Sequence, residues 1–287
     1  MNRSRLLGIF RLFRFELPFT AGICVILGQL LAIDQFPPIS IMALGFLSIF
    51  CISATALILN DYFDLETDRV NSPERPLPSG IVTKQDVVLL SIGVAMLGLI
   101  ASYLISFAAL LISLFVWMIG FLYNWRFKRS GLWGNLMVSF SVGMTFIFGG
   151  ISVSVQFAKM VWFFAVIVAL INLGEEIAAD AMDVQGDRQA GSQSLAVVLG
   201  PERALRISAA IFMAVVGISS LPFWRGWLEW IYLFPIAIMD GVILYSTAQL
   251  LNPQTADRRR YVRWIYLGGL AAILIFILIR FALASNL

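Results

Sequence analysis

Long apolar stretches, separated by short polar ones, run along this 287-residue chain from end to end. An apolar run of 18 or more residues is long enough to cross a membrane as a helix. We predict nine such spans, at residues 12–33, 38–60, 86–106, 108–125, 133–155, 160–182, 203–222, 228–250 and 263–284. No polar stretch is long enough to fold alone. The fold class is therefore all-α, a polytopic membrane helical bundle, with one integral-membrane domain over residues 1–287.

The connections between the predicted spans alternate in length and charge. Those after the first, third, fifth and seventh spans are short, and those after the second, fourth, sixth and eighth are longer and charged. Of the 20 lysines and arginines, 17 lie at the N-terminus or near the longer connections, and only Lys159, Arg225 and Arg280 lie on the opposite face. Because positively charged loops favour the cytoplasm, we predict a cell-membrane protein with a cytoplasmic N-terminus and an outside C-terminus.

The composition limits the chemistry that the chain can perform. Histidine is absent, and the two cysteines, Cys24 and Cys51, lie inside apolar runs, where we interpret them as small core residues. These counts exclude a disulfide framework and a histidine-based metal site. Any bound metal must have oxygen ligands, which favours Mg²⁺ or Ca²⁺. The net charge of +3 reflects membrane topology and does not indicate nucleic acid binding.

Two aspartate clusters stand at the predicted cytoplasmic ends of spans two and six. Each follows the pattern D-x-x-D-x-x-x-D-R, with its aspartates at Asp61, Asp64 and Asp68 or at Asp180, Asp183 and Asp187. On an uninterrupted helix the three carboxylates lie within about 60° of one another, and Glu176 extends the second face. An acidic solvated loop would explain the charge but not the repeated spacing. We predict two facing divalent-metal sites that hold a diphosphate between them.

Basic residues on the same face are candidates for binding the diphosphate, whose negative charge the metal ions neutralise only in part. Arg75 belongs to the turn-rich stretch RPLPSG, and Lys128 follows span four. The other basic residues considered are Arg126, Arg129, Arg188 and the run 258–260. Arg188 stays a candidate ligand. Arg126, Arg129 and the run 258–260 are better explained as charges that set the membrane topology.

The residues around both clusters resemble the motifs of the UbiA superfamily of intramembrane prenyltransferases. NDYFDLETD, at 60–68, is similar to the family motif N-D-x-x-D-x-x-x-D, and DAMDVQGD, at 180–187, is similar to the second motif, D-x-x-x-D. RPLPSG and the pattern of Tyr123, Lys128, Gly134 and Asn135 are also similar. The resemblance covers the whole chain. It implies nine helices around one central cavity and Mg²⁺-dependent transfer of a prenyl group from a diphosphate.

The resemblance also implies roles for individual residues, with two Mg²⁺ ions as cofactors. One ion would be held by Asn60, Asp61, Asp64 and Asp68, and the other by Asp183 and Asp187, with Asp180 on the same helical face. The substrate would be contacted by Asn60, Arg75, Tyr123, Lys128, Arg188 and Arg14.

A prenyl diphosphate has a charged head and an apolar tail, which matches a charged membrane face above an apolar cavity. Aromatic rings shield and stabilise an allylic cation. The candidates for lining such a cavity are Phe63, Tyr123, Trp125, Phe140 and Phe146, although a packing or lipid-facing role explains any one of them better in a chain with 38 aromatic residues. Asp240, in the middle of span eight, is either a cavity residue or a protonated packing group.

Two other classes of membrane protein use clustered carboxylates. A phospholipid synthase of the CDP-alcohol type would carry D-G-x-x-A-R, whereas Leu65 and Glu66 follow Asp64 here. A cation transporter would need carboxylates along a path at the bilayer midplane, whereas these lie at one face. Both alternatives are therefore less favoured than a prenyltransferase.

The acceptor stays open at this point. The form D-V-Q-G-D-R-x-A-G, from Asp183, is similar to that of archaeal digeranylgeranylglyceryl phosphate synthases. That resemblance implies geranylgeranyl diphosphate as donor and geranylgeranylglyceryl phosphate as acceptor, in ether-lipid synthesis. Quinone-pathway acceptors (4-hydroxybenzoate and dihydroxynaphthoate) and a chlorophyll-type acceptor are alternatives. The sequence indicates membrane lipid around the protein and no obligate protein partner.

Overall fold

The structure is a computed structural model and describes residues 3–285. The ends of the predicted domain, residues 1–2 and 286–287, lie outside this range, and with them the predicted location of the C-terminus. Within the described range the α-helices, in chain order, are α1 (Arg3–Leu12), α2 (Glu16–Ile33), α3 (Ile39–Phe63), α4 (Leu65–Asn71), α5 (Lys84–Ile105), α6 (Phe107–Leu122), α7 (Leu132–Ser152), α8 (Lys159–Met182), α9 (Val184–Gln189), α10 (Leu195–Leu199), α11 (Pro201–Ser219), α12 (Leu221–Trp224), α13 (Leu233–Leu251) and α14 (Arg259–Ser285).

Nine segments of residues 3–285 are long and apolar enough to cross a membrane. They are α2, α3, α5, α6 continued by a π-helix at Tyr123–Phe127, α7, α8, α11 continued by α12, α13 preceded by a 3₁₀ turn at Trp230–Tyr232, and α14. The predicted all-α bundle with nine spans is confirmed. Each predicted boundary lies within four residues of the observed one, because the length of an apolar run is a local property.

The predicted start differs from the observed one by four residues in two spans, the first and the ninth, and the first has a structural break. We predicted a helix from residue 12, but α1 ends at Leu12 and α2 begins only at Glu16. Between them Arg14 has φ 44°, in the left-handed region that residues other than glycine rarely adopt. Leu12 is buried with Ile58 and Val87, whereas most other apolar residues of α1 are exposed. Thus α1 lies across the charged-loop end of the bundle instead of extending α2.

Close contacts and short polar bridges hold the spans together. Gly28 and Gly149 allow α2 and α7 to approach closely, since a Cβ on either would lie 2.5–2.6 Å from a backbone oxygen of the other helix. Ser48, Ser102 and Ser113 form a buried hydrogen-bonded group that joins α3, α5 and α6, with 2.6 Å between the Oγ atoms of Ser102 and Ser113. Small residues and interhelical hydrogen bonds are typical of helix packing in membranes.

Two of the longer connections meet each other at the charged end of the bundle. The backbone N–H of Gln193, after α9, donates to the carbonyl of Arg129, after the π-helix, at 3.0 Å. Gly131 precedes α7 with φ 63°, and a Cβ at this position would overlap the Gln193 carbonyl. A glycine therefore lets the connection that carries Lys128 pack against the connection that follows the second aspartate cluster.

Candidate active site

Both aspartate clusters occur where a long helix changes direction. Asp64 alone separates α3 from α4, and Asp183 alone separates α8 from α9. Their backbone angles are similar, with φ −89° and ψ 2° for Asp64 and φ −107° and ψ 12° for Asp183. This sparsely allowed region is where many active-site residues lie. Our prediction that each cluster follows one uninterrupted helix is wrong, because ψ near 0° turns the chain at the middle aspartate.

Two aspartates of the first cluster, Asp61 and Asp68, share one cation, Arg75. Asp61, at the end of α3, is 2% exposed and pairs with Arg14; Arg75 Nη1 is 3.8 Å from its Oδ1. Arg75 also donates to Asp68 Oδ2 at 2.6 Å. The left-handed backbone of Arg14 accompanies this contact, and such strain is found mostly at functional sites. The structure therefore brings Arg14 and Arg75 together at the first cluster, and their contact with a substrate stays a prediction.

The third aspartate of this cluster pairs with a different cation. Asp64 forms an ion pair with Lys128, directly after the π-helix. In the orientation that satisfies its neighbours, the Asn60 amide accepts from Lys128 Nζ at 2.7 Å and donates to Asp64 Oδ2 at 3.1 Å. Asn124, which is buried in the π-helix, donates at 3.0 Å to carbonyls of α3 and α6. π-Helical turns are rare and often occur at functional sites.

The three aspartates of the second cluster have three different surroundings. Asp180 accepts a hydrogen bond of 2.8 Å from Asn135 of α7. Asp183 forms an ion pair with Arg259 at the start of α14, and Asp187 has a buried Oδ2 without a protein partner among the described residues. Arg259, which we interpreted as a charge that sets the topology, thus also contacts the second cluster, because helix packing brings it there.

Tyr123 is near carboxylates of both clusters. It is close enough for electrostatic interaction with Asp64 of the first cluster and with Asp180 and Asp187 of the second. Gly134 of α7 allows this arrangement, because a Cβ there would lie 3.4 Å from the Tyr123 ring and 2.8 Å from the carbonyl of Phe127. The clusters, 119 residues apart in the chain, therefore belong to one site.

A cavity of about 480 Å³ extends from this site into the bundle. Polar residues lie along its wall near the clusters, among them Arg14, Asn60, Tyr123, Glu175 and Glu176. Apolar residues form most of the rest, including Trp117, Phe146, Phe164, Ile273 and Phe276. A charged end that continues into an apolar chamber suits a ligand with an anionic head and a hydrocarbon tail.

The site has the ligand chemistry of a hard divalent cation, although four of its six aspartates are paired with protein cations. Across residues 3–285, no three histidine, cysteine, aspartate or glutamate side chains are placed to hold one metal ion. Instead Arg14, Arg75, Lys128 and Arg259 pair with the carboxylates. The available donor atoms are carboxylate and amide oxygens, which fit Mg²⁺.

Comparison with known proteins identifies the family. The model of the UbiA prenyltransferase family matches residues 21–267. The chain belongs to the UbiA prenyltransferase family. It is 34% identical to a digeranylgeranylglyceryl phosphate synthase of Thermococcus sibiricus, with 83% of this chain and 85% of the relative covered. It is 32% identical to a synthase of the same name from Methanopyrus kandleri, with coverages of 90% and 93%.

Solved structures of the family have the same fold. A structure from work on digeranylgeranylglyceryl phosphate synthase in membranes has 30% identity and a TM-score of 0.75, and covers 96% of this chain and 98% of that one. A UbiA homologue from Archaeoglobus fulgidus bound to GPP and Mg²⁺ has a TM-score of 0.72 at 20% identity, with coverages of 97% and 99%. The chain is therefore an integral-membrane prenyltransferase.

Of the five aromatic residues considered as candidates for lining the cavity, two line it and three do not. Tyr123 and Phe146 line the cavity. Phe63, Trp125 and Phe140 do not line it, which agrees with the packing or lipid-facing role favoured for them; Trp125 and Phe140 are 58% and 46% exposed. The rings that replace them come from helices whose packing the sequence does not specify.

Asp240 and Glu175 are carboxylates within the membrane-spanning helices. Asp240 lines the cavity, which agrees with the first of its two alternatives, and it accepts a hydrogen bond of 2.7 Å from Ser219. Glu175 also lines the cavity, and its buried Oε1 has no hydrogen-bond partner among the described residues. The repeated spacing in the sequence includes Glu176 but not Glu175. Its position inside an apolar run was the available signal, since intramembrane carboxylates are often functional.

Three basic residues of the charged face lie at the protein surface. Arg126, Arg129 and Arg188 are exposed, and the structure shows no ion pair for them within residues 3–285. For Arg126 and Arg129 this agrees with a role in topology. The assignment of Arg188 to the substrate stays a prediction.

Proposed function

We propose that this prenyltransferase transfers a geranylgeranyl group from geranylgeranyl diphosphate to the free hydroxyl of geranylgeranylglyceryl phosphate. The observation that carries the proposal is the joining of both aspartate clusters and their cations at the mouth of one apolar cavity of about 480 Å³. The choice of acceptor is supported by the relatives at 32% and 34% identity, which are digeranylgeranylglyceryl phosphate synthases.

The diphosphate head is proposed to lie between the clusters, with the prenyl tail in the cavity. Arg14, Arg75 and Lys128 pair with aspartates in the structure. In the complex these cations would turn to the phosphate oxygens, where charge-assisted hydrogen bonds are strong. Tyr123, near both clusters, would offer its ring to the allylic cation.

Two Mg²⁺ ions are proposed as cofactors. The proposed ligands are Asn60, Asp61, Asp64 and Asp68 for one ion, and Asp180, Asp183 and Asp187 for the other. When bound, Mg²⁺ would neutralise the charge that develops on the leaving diphosphate. Once turned to the phosphate oxygens, the protein's own cations would have the same electrostatic role, with no further reorganisation during the reaction. The apolar cavity wall keeps water from the allylic carbon.

We also propose that both clusters face the cytoplasm. The support is the placement of 17 of 20 lysines and arginines near the connections on that face. A water-soluble Mg²⁺ ion would then reach the site from the cytoplasm, while the two lipid tails stay in the bilayer.

An acceptor screen tests the proposed function. Purified protein in detergent is supplied with geranylgeranyl diphosphate and, separately, geranylgeranylglyceryl phosphate, 4-hydroxybenzoate, dihydroxynaphthoate and chlorophyllide, and products are measured by mass spectrometry. We expect transfer to the glyceryl phosphate, loss of turnover in EDTA and its recovery with Mg²⁺. Transfer to an aromatic or chlorophyllide acceptor alone would overturn the choice of acceptor. Full turnover in excess EDTA would overturn the role of the metal.

A further inference from the structure

A second, smaller cavity lies beside the prenyl cavity, between the start of α2, the end of α8 and the start of α14. Its volume is about 330 Å³. The residues that line both cavities are Leu17, Asn172, Glu175, Glu176 and Tyr266. The smaller cavity therefore shares a wall with the chamber proposed for the donor, at the level of the second aspartate cluster. Its position suits a second substrate that must meet the first.

Two arginines from the start of α14 line the smaller cavity. Arg259 pairs with Asp183, and Arg263 pairs with Glu16 of α2 at 2.7 Å. Both guanidinium groups are more than half exposed, so an incoming anion can reach them. The N-terminus of a long helix adds a favourable dipole for negative charge. If Asp183 turns to a metal ion, as proposed above, Arg259 is released for another anion.

Glu175 has an oxygen that is free to accept a hydrogen bond in the shared wall. Its Oε1 is buried and has no partner among the described residues. A buried carboxylate oxygen without a donor is costly, and such groups call for a functional explanation. Glu175 lies seven residues before the end of α8, roughly 10 Å deeper than Met182 at 1.5 Å per residue. A hydroxyl bound below the arginines would supply the missing donor.

We propose that the smaller cavity binds the acceptor, a lipid phosphate monoester with a free hydroxyl. Arg259 and Arg263 bind the phosphate at the membrane face, and Glu175 accepts the hydrogen bond of the hydroxyl at the shared wall. This assignment rests on the function proposed above. Leu17, Met182 and Val262 also line this cavity.

The reaction at this junction balances as a substitution at the first carbon of the donor. The bond from that carbon to the diphosphate oxygen breaks, and the diphosphate leaves with the electron pair. The hydroxyl oxygen of the acceptor forms the new ether bond, and its proton passes to the carboxylate of Glu175. A carboxylate within hydrogen-bond reach of the hydroxyl acts here as a general base.

The positions of the charged residues along the smaller cavity also explain why the hydroxyl end of the acceptor enters before the phosphate end. Asp183 and Glu176 line the cavity together with the arginines and would repel a phosphate that penetrated to the shared wall. Arg259 and Arg263 lie in the first two turns of α14, at the membrane face. The phosphate therefore stays at the entrance, while the uncharged hydroxyl reaches Glu175.

Acceptor specificity tests the arginine assignment. We compare Arg259→Gln and Arg263→Gln with Arg260→Gln, whose guanidinium lies 4.8 Å from the Tyr261 ring centre and does not line the cavity. Initial rates are measured with geranylgeranylglyceryl phosphate and with geranylgeranylglycerol, which lacks the phosphate. We expect the first two variants to lose roughly 10- to 150-fold in kcat/KM for the phosphorylated acceptor. Arg260→Gln should retain the wild-type preference for that acceptor.

The same measurements can also contradict the proposal that Arg259 and Arg263 bind the acceptor phosphate. The arginine assignment is wrong if all three variants behave alike, or if Arg259→Gln and Arg263→Gln weaken use of both acceptors equally. If the wild-type protein prenylates neither glyceryl acceptor, the proposed function is wrong. The anion site is then tested by calorimetry with geranylgeranylglyceryl phosphate and no donor, where equal binding by Arg263→Gln and Arg260→Gln would overturn it.

The role of Glu175 has its own test. Glu175→Gln keeps the size of the side chain but removes the proton acceptor. We expect a large fall in kcat, with donor binding by calorimetry unchanged and partial recovery in Glu175→Asp. A kcat close to that of the wild-type protein would show that the hydroxyl proton leaves by another route.

Discussion

Asp64 and Asp183 occupy equivalent places in two separate helices. Each is the middle aspartate of its motif, has ψ near 0° and pairs with a cation from a distant part of the chain. The repeated spacing in the sequence thus corresponds to a repeated bend in the backbone. The bend depends on the backbone, whereas the ion pair depends on the carboxylate. A change from aspartate to asparagine, which has the same shape but no charge, therefore removes the ion pair and keeps the bend.

We expect Asp64→Asn and Asp183→Asn to lose activity without loss of fold. Removing one group that stabilises transition-state charge lowers kcat roughly 10²- to 10³-fold. Turnover is measured at saturating Mg²⁺, and folding is checked by gel filtration in detergent. Glu66→Gln is the control, since its side chain is 75% exposed and pairs only with Arg69 among the described residues. Near-normal turnover in either aspartate variant would exclude that residue as a metal ligand.

Arg75 and Lys128 should matter more than an exposed cation of the same face. If they bind the leaving diphosphate, losing either charge-assisted contact should cost about 1.5–3 kcal/mol, roughly 10- to 150-fold in kcat/KM. The variants Arg75→Gln and Lys128→Gln are compared with Arg126→Gln, an exposed neighbour of Lys128. Equal, small effects of all three would show that these cations are interchangeable surface charge.

At the scale of elements, short and irregular segments place the functional groups. Lys128 follows a five-residue π-helix, and Asp68 lies in the seven-residue helix α4. The long spans provide the wall of the cavity, whereas these segments place the charges at its mouth. Contacts between loops, such as the hydrogen bond from Gln193 to Arg129, hold the segments in position.

Gly131→Ala should disturb this loop contact. The backbone of Gly131, with φ 63° and ψ −122°, is sparsely populated by other residues and costs an alanine roughly 1–3 kcal/mol, and the new Cβ would overlap the Gln193 carbonyl. We expect a lower Tm and reduced turnover. Gly93→Ala is the control, since Gly93 lies inside α5 with open space around it; there alanine should be neutral or slightly stabilising. Equal Tm values for the two variants would show that the contact does not contribute to stability.

At the scale of the whole molecule, ion pairs between distant segments occupy most of the carboxylates of the site. Cations from α14 and from the regions around α1, α4 and the π-helix neutralise aspartates of both clusters. A divalent ion must compete with these cations for the carboxylates, and a diphosphate must compete with the carboxylates for the cations. Binding of either one therefore favours binding of the other, as any coupling between two ligands is reciprocal.

This coupling can be measured by calorimetry. We expect Mg²⁺ to bind at least fivefold more tightly in the presence of a non-reactive prenyl thiodiphosphate, which corresponds to about 1 kcal/mol of coupling. The Lys128→Gln variant, in which Asp64 has lost its ion-pair partner, should bind Mg²⁺ better than the wild-type protein when no donor is present. Independent binding of metal and donor would contradict this account of the ion pairs.

The membrane orientation is open to direct labelling. Glu74, after α4, is exposed near the clusters, and Phe157, between α7 and α8, is 81% exposed on the opposite face. In a protein with Cys24 and Cys51 replaced by alanine, a cysteine substituted for Glu74 should react with an impermeant reagent only from the cytoplasm. One substituted for Phe157 should react only from outside. The reverse pattern would invert the proposed orientation. Labelling of both cysteines from one side would contradict the three spans that lie between the two positions.

The sequence by itself determined the features that depend on neighbouring residues in the chain. Apolar run length determined the nine spans, and repeated spacing identified both aspartate clusters with the candidates Arg75 and Lys128. The short irregular segments were less predictable, because the break at Arg14 and the π-helix each depend on contacts outside their own residues. The sequence therefore predicted the chemistry of the site but not how its charges are distributed.

Only the tertiary structure decided which groups meet. Arg259 was interpreted as a topology charge and Glu175 was overlooked, yet one pairs with Asp183 and the other lies in the wall between two cavities. No local pattern could show this, since Arg259 and Asp183 are 76 residues apart and meet only because α14 packs against α8. In a membrane, small residues and polar contacts select the partner of each helix, while apolar faces resemble one another and carry little information about pairing.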